Sequence, residues 1–287
     1  MDLILYNPLS RNSKSNIQTH KLVMYYKINK IPFRLKSIIK IDDIRLYLED
    51  KEHIDKVILL GGDGTINHFV NSVAEYDIRQ EIYLKSNGTG NDFLRSLKSN
   101  DDKPQHIMKA EYDNGVSKYF INGVGMGVDG LVAVLMDKTT KKGKFSYMFH
   151  TLKGLMKYIP EPAEVIVDGK VHQFQRVFLV TVNNGRYFGG GMQITPEADI
   201  STEELDVIVC HTISKLFILP VFFTIYLGLH TKLTKYVTHL KGKEIKVTYT
   251  TPQNSQADGE NTLDVISMNV KSSGRKIHLR YFDNKKR

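Results

Sequence analysis

A single cysteine, Cys210, stands in this chain of 287 residues, so no disulfide framework can form within it. Cytosolic residence follows as the expectation. Cys210 ends the apolar run "LDVIVC" and reads as a small core residue rather than a reactive thiol. Long hydrophobic runs are missing as well. The longest, "KLFILPVFFTIYLGL" from Lys215 to Leu229, falls short of the ~20 residues that a bilayer-crossing helix needs, and Pro220 interrupts it. It reads as a buried helix, with a face resting against lipid as the alternative. The opening "MDLILYNPLS" has neither the basic region nor the apolar core of a secretory signal. The ten histidines show no metal-ligand spacing, and there is no repeat, low-complexity tract, zinc-finger spacing, basic zipper or stacked-aromatic nucleic-acid module. No nucleic-acid partner is therefore expected.

What is present is positive charge: 40 basic against 31 acidic residues, a net charge of +9. Such a surface attracts phosphate-bearing ligands and anionic membranes. The excess concentrates in "MDKTTKKGKFSYMFHTLKGLMKY", residues 136–158. There Lys138, Lys141 and Lys142 precede a helical pattern over 144–159, with Lys153 and Lys157 sharing one face. This segment is a candidate for peripheral docking on an anionic membrane.

Short apolar strands alternate with helical patterns over residues 1–120, which predicts an open, mostly parallel α/β sheet. Strands are expected at "LILY", "IPFRLKSI", "KVILL" and "IYLKS", and a helix at "DDIRLYLE" with Asp42 or Asp43 at its positive end. Beyond about Tyr119 glycine punctuation and strand-like runs dominate, so residues 121–274 are expected to form a β-rich domain; a last strand within 275–287 is a candidate to return to the first. Ligands bind such parallel sheets beyond the carboxyl ends of the strands.

Two turns stand at that end. In "VILLGGDGTINHFVNSV" a strand is predicted to end at Leu60 and a helix to start near Thr65. Between them Gly61, Gly62 and Gly64 leave the backbone bare, and N–H groups at a helix start favour phosphate. Asp63 in their midst repels phosphate unless Mg²⁺ or a proton-donating hydroxyl intervenes. This points to phosphoryl transfer with a metal. The second turn, "SNGTGNDFLRSL", repeats the arrangement with Thr89 and Asp92. The P-loop pattern GxxxxGK[ST] does not occur.

"GGDGTIN" with "GTGNDFLRSL" resembles the soluble diacylglycerol-kinase-like lipid kinases, the superfamily that includes sphingosine and ceramide kinases. "NPLS", "FINGVGMGVDG", "NNGRYFGGGMQITPEAD" and "QADGE" extend the resemblance, in order, along nearly the whole chain. It implies a Rossmann-like nucleotide-binding α/β domain, a β-sandwich-like domain and an active site in the cleft between them. It also implies ATP, Mg²⁺, a lipid hydroxyl as acceptor and a homodimer. Carried over, Asn7, Pro8, Leu9, Ser10 and Arg11 border the nucleotide, while Gly61, Gly62, Asp63, Gly64, Thr65, Ile66, Asn67 and His68 cradle ATP. Thr89 bonds a phosphate. Asp63 and Asp92 organise Mg²⁺ through water. Glu260 is the proton acceptor, with Asp258 beside it. On the residues alone, Asp258-Gly259 is also a hairpin signal.

The chain departs from the family pattern in places. Arg11 stands where glycine is usual and His68 where glutamate is common. Thr202-Glu203 replaces an Asp-Gly that supplies a second metal site, whose positions here are Asp199, Thr202 and Glu204. Two rival readings remain open: an enzyme like NAD kinase, which shares the Gly-Gly-Asp-Gly loop, and a nucleotide- or lipid-binding regulator without catalysis.

Overall fold

The computed structural model describes residues 1–8, 14–51, 53–86, 91–98, 102–137 and 144–283. Leu9, Ser10, Arg11, Thr89, Lys138, Lys141 and Lys142 lie outside the described residues.

The first part of the chain alternates β1 (Asp2–Tyr6), α1 (Lys14–Ile28), β2 (Phe33–Ser37), α2 (Ile44–Glu49), β3 (Lys56–Gly61), α3 (Asp63–Val73), β4 (Glu81–Ser86) and α4 (Asp92–Lys98). The strands are near-continuous apolar runs because both faces of the sheet are covered. Leu3, Leu5, Val57 and Leu59 pack against Phe69, Val70 and Phe93 from α3 and α4. Ile4, Ile58 and Leu60 turn the other way, against Leu22 and Tyr26 of α1. Each such fully buried side chain is worth about 1.5–3 kcal/mol of transfer free energy. Asp43 starts α2 by accepting the Leu46 N–H at 2.9 Å.

The rest comprises β5 (Gln105–Tyr112), β6 (Ser117–Phe120), β7 (Gly123–Gly127), α5 (Val128–Asp137), α6 (Lys144–Lys157), β8 (Glu161–Val167), β9 (Lys170–Asn183), β10 (Leu205–His211), α7 (Lys215–Thr224), β11 (Val237–Gly242), β12 (Glu244–Ala257), β13 (Glu260–Ile277) and β14 (Leu279–Tyr281). β14 leaves this part and pairs in parallel with β4, which gives the first sheet the order β14-β4-β3-β1-β2. β5 and β6, although they precede residue 121, join the second sheet through antiparallel pairing of β5 with β13. By hydrogen bonding, the first sheet's strands thus end at β4 and resume only at β14.

In the second sheet, the long strands β9 and β12 each pair with β8 along one half and with β7 along the other. The sheet therefore folds around a core that includes Val124, Val165, Val182, Val207 and Val247. Its outer face at Phe178 and Ile208 is covered by α5, α6 and α7. The Lys215–Leu229 run becomes α7 followed by a short 3₁₀ turn; it buries Ile218, Val221 and Phe222 and exposes Leu216, Phe217 and Phe223. Among the described residues no helix is long and apolar enough to cross a membrane.

Candidate active site

β3 and β4 run in parallel register, Leu60 beside Lys85 and Gly61 beside Ser86, so the two strands end at the same side of the sheet. β1 ends there too, with Tyr6 beside Leu60. Just past it, Asn7 donates its amide to the Thr65 hydroxyl at 3.2 Å, and so fastens the first loop to the head of α3.

β3 runs one residue further than its sequence predicts, and α3 starts at Asp63, two residues early, because Gly62 serves as a cap without a side chain. The glycines divide by function. A Cβ on Gly61 would meet the Thr65 Cβ at 2.4 Å, so this glycine is required by packing. At Gly62 and Gly64 a Cβ would meet nothing within 4 Å. The first turn of α3 thus presents bare, open backbone, and this fits a phosphate group.

Asp63 is tied down. Its carboxylate accepts the N–H of Asn91 at 2.7 Å, of Asp92 at 3.1 Å and of Phe93 at 3.1 Å, and so caps α4 from outside. Burial raises its pKa, opposed by these backbone donors and by Arg95. A carboxylate offers roughly four acceptor positions, and these three N–H groups together with its own meet them. Asp92 is buried. It accepts Arg95 Nη1 at 3.3 Å and, across to the β-rich part, the Gly190 N–H at 2.6 Å. Gly190 lies in a tight loop closed by the pairing of Phe188 with Met192, and Gly189, Gly190 and Gly191 all have positive φ. A Cβ on Gly191 would meet Arg95 at 2.5 Å, so the loop packs directly on the α4 side chain.

Asp258 and Gly259, with φ of 47° and 91°, form the two-residue turn between β12 and β13. The hairpin reading holds, and the turn's acid also reaches across to other elements. Asp258 accepts the N–H of Ile121 at 2.8 Å, of Asn122 at 3.0 Å and of Gly123 at 3.0 Å, and the Asn67 amide of α3 at 3.3 Å. Burial pushes its carboxyl up to about 6 against those donors. Asn67 follows Asp63 by one helical turn, so α3 touches the α4 head with one residue and the β12–β13 turn with the other. Glu260, by contrast, is exposed, with the charge of Lys118 near it. His68 is exposed on α3, and Ile66 is core.

Asp199, Thr202 and Glu204 lie on one exposed turn. The Asp199 carboxylate there accepts the Ser201 N–H at 2.9 Å and its hydroxyl at 2.7 Å. Among the described residues no three His, Cys, Asp or Glu side chains come together as a metal-holding group.

An apolar pocket with a cavity volume of about 60 Å³ lies between β9–β10 and the helices α5, α6 and α7. Leu155, Phe178, Ile218 and Phe222 line it, and Phe188 and Met192 bring the Gly190 loop to its wall. Cys210 also lines it, and burial pushes that thiol up to about 12, so it is an apolar wall group. Sequence reading missed the pocket's one charged lining residue, Asp129, which is 5% exposed. The signal was there: "GMGVDG" repeats the strand–glycine–aspartate–helix pattern of "LLGGDG".

Comparison with known proteins accords with this geometry. The family described as diacylglycerol kinase catalytic domain matches residues 2–119, and the YegS C-terminal NAD kinase beta sandwich-like domain matches residues 122–273. A protein of Mycobacterium tuberculosis (strain H37Rv) named diacylglycerol kinase is 28% identical over 199 residues, which span 64% of this chain and 64% of that protein. A crystal structure of a Bacillus anthracis diacylglycerol kinase shares the fold, with a TM-score of 0.63 at 18% identity over 94% of this chain and 93% of that one. A second solved chain from the same organism reaches a TM-score of 0.68 at 22% identity, again over 94% and 93% of the two chains. The chain belongs to the family of diacylglycerol-kinase-like lipid kinases.

Proposed function

We propose that the protein is an ATP- and Mg²⁺-dependent kinase that phosphorylates the hydroxyl of a diacylglycerol-like lipid, in phospholipid metabolism. The reaction would take place in a cleft between a Rossmann-like half and a β-sandwich-like half. One observation carries this reading. The walls of the apolar pocket include Phe188 and Met192, and between them Gly190 donates its N–H to Asp92. An apolar wall that suits a lipid is thereby hydrogen-bonded to the acid at the head of α4, beside the open first turn of α3 that suits phosphate. A polar dinucleotide acceptor, as for NAD kinase, has no use for such a wall.

Bound ATP would supply the phosphoryl group, and Mg²⁺ would neutralise charge on it. The chain's own groups orient and exclude. The open turn at Gly62 and Gly64, with Asn7 and Thr65 beside it, receives the phosphates. With Mg²⁺ bound, Asp63 and Asp92 would orient the ion's water shell, since Mg²⁺ keeps several waters. Glu260 takes the proton of the attacking hydroxyl, and Asp258 holds the turn that presents it. Membrane access follows from the pocket's outer helices. Phe149, Ile159, Leu216 and Leu227 are 62%, 71%, 79% and 70% exposed, and no acidic residue occurs at 138–160 or 207–243. This apolar, acid-free face suits an anionic membrane.

The test is incubation of the purified chain with γ-labelled ATP and total membrane lipid. A labelled lipid phosphate is expected, and Glu260→Gln should lower kcat by about 10²- to 10⁴-fold with nucleotide affinity unchanged. A folded, ATP-binding protein that labels no lipid would instead be a regulator. Sedimentation with anionic vesicles, lost in the Leu216→Glu/Leu227→Glu double variant, checks the docking face; unchanged binding refutes it.

A further inference from the structure

Asp129 is a buried carboxyl group that the phosphoryl-transfer scheme does not use. It sits in the first turn of α5 and lines the apolar pocket. Its Oδ2 accepts the Gln256 amide at 2.6 Å, and among the described residues Gln256 is its only hydrogen-bond partner. The other face of the Gln256 amide accepts the Gly259 N–H at 2.6 Å. Asp129 therefore stands one amide group away from the Asp258-Gly259-Glu260 turn. Tyr112 and Ser255, the polar groups nearby on β5 and β12, bond each other at 3.0 Å and are taken.

A carboxylate left facing an apolar wall is costly unless a donor satisfies it. The protein supplies one donor for two oxygens. We propose that the acceptor supplies the other: that Asp129 is a specificity-determining residue, reading a second hydrogen-bond donor on the lipid head group beside the hydroxyl that is phosphorylated. This rests on the lipid-kinase reading above and narrows it. A diacylglycerol has one free hydroxyl, and its remaining head-group oxygens are esterified and only accept. A monoacylglycerol offers a second hydroxyl, and a long-chain amino alcohol offers an ammonium. Both place a donor within reach of the hydroxyl that reacts, and a site built to bond such a group rejects analogues lacking it.

The experiment compares kcat/KM of the full chain for four acceptors in the same neutral micelles: 1-oleoylglycerol, its analogue 1-oleoyl-1,3-propanediol lacking the second hydroxyl, 1,2-dioleoylglycerol and a long-chain amino alcohol. The wild-type protein is expected to favour one of the two donor-bearing acceptors over the other pair by ~10-fold or more. Asp129→Leu should erase that preference while leaving the KM for ATP unchanged. Asp129→Asn, which keeps the shape and loses the charge, should spare 1-oleoylglycerol and depress the amino alcohol, so it tells the two donors apart. Equal wild-type rates on 1-oleoylglycerol and its deoxy analogue, with no gain for the amino alcohol, overturn the proposal without any variant having to fold. A preference that persists in Asp129→Leu overturns it as well. Phosphorylation of none of the four, nor of any membrane lipid, would instead sink the kinase reading itself.

Discussion

Asp63 and Asp129 occupy matching places, each in the first turn of a helix that follows a glycine-bearing strand end, and they meet opposite fates. Asp63 accepts three backbone N–H groups from the head of α4. Asp129 accepts one side-chain amide and faces a pocket. The glycines beside them invert the contrast. Gly62 and Gly64 have open space around them, whereas a Cβ on Gly127 would meet the Phe178 carbonyl at 2.7 Å and the Tyr249 hydroxyl at 2.9 Å. One turn thus has a satisfied acid and an open backbone, the other a closed backbone and a half-satisfied acid. The two proposals above follow this division: phosphate at the first turn, a donor-bearing head group at the second.

The sharpest way to break this contrast is Asp63→Asn. One Asp63 oxygen serves Asn91 and Asp92 and the other serves Phe93, so an amide must turn a donor toward at least one donor. Each buried N–H left unmet costs about 1–3 kcal/mol. At roughly 2–4 °C per kcal/mol for a chain of this size, melting should fall by several degrees. Calorimetry checks this. An unchanged melting temperature would mean that Asp63 does not hold α4.

Asp129→Asn should move stability the other way. Burial raises the Asp129 carboxyl from 3.8 to about 6. Between those values the unfolded chain is ionised while the folded chain keeps the proton. Stability contributed by this group is therefore full below pH 3.8, falls as pH rises, and is gone above about 6. The shift corresponds to at most about 3 kcal/mol at neutral pH. The variant should unfold at higher denaturant at pH 7 and match the wild type near pH 3.5. Denaturant midpoints across this range decide it, and a variant destabilised at pH 7 refutes the claim that the charge is held against stability.

The contrast also marks what a sequence can disclose. The strands "KVILL" and "IYLKS" and the glycine turn after the first were legible because their signals are local: apolar runs, glycine, and a cap residue within a few positions. β5 was not, since what makes it a strand is β13: Tyr112 pairs with Met268, far along the chain. Asp258 was legible as a turn residue, but not as the acceptor for residues 121–123, whose amides converge on it only once β7 has paired with β12. Asp129 stayed hidden for the same reason. Its partner Gln256 sits opposite Gly125 in that pairing, and nothing within either local segment reports the other.

The smallest effects separate the two kinds of glycine. Gly127 has a φ of 89°, which a side chain resists, and a Cβ there would be pressed against backbone and a buried tyrosine. Gly127→Ala should cost about 1–3 kcal/mol through strain and overpacking. Gly62 has an ordinary extended φ of −107° and open space, so Gly62→Ala should alter stability by under about 1 kcal/mol. Yet that methyl would occupy the space where a phosphate must approach the α3 amides. Nucleotide titration should therefore show weaker binding in Gly62→Ala, with melting nearly unchanged, and the reverse in Gly127→Ala. If both glycines respond alike, the open turn is no phosphate cradle and its bareness has a structural cause.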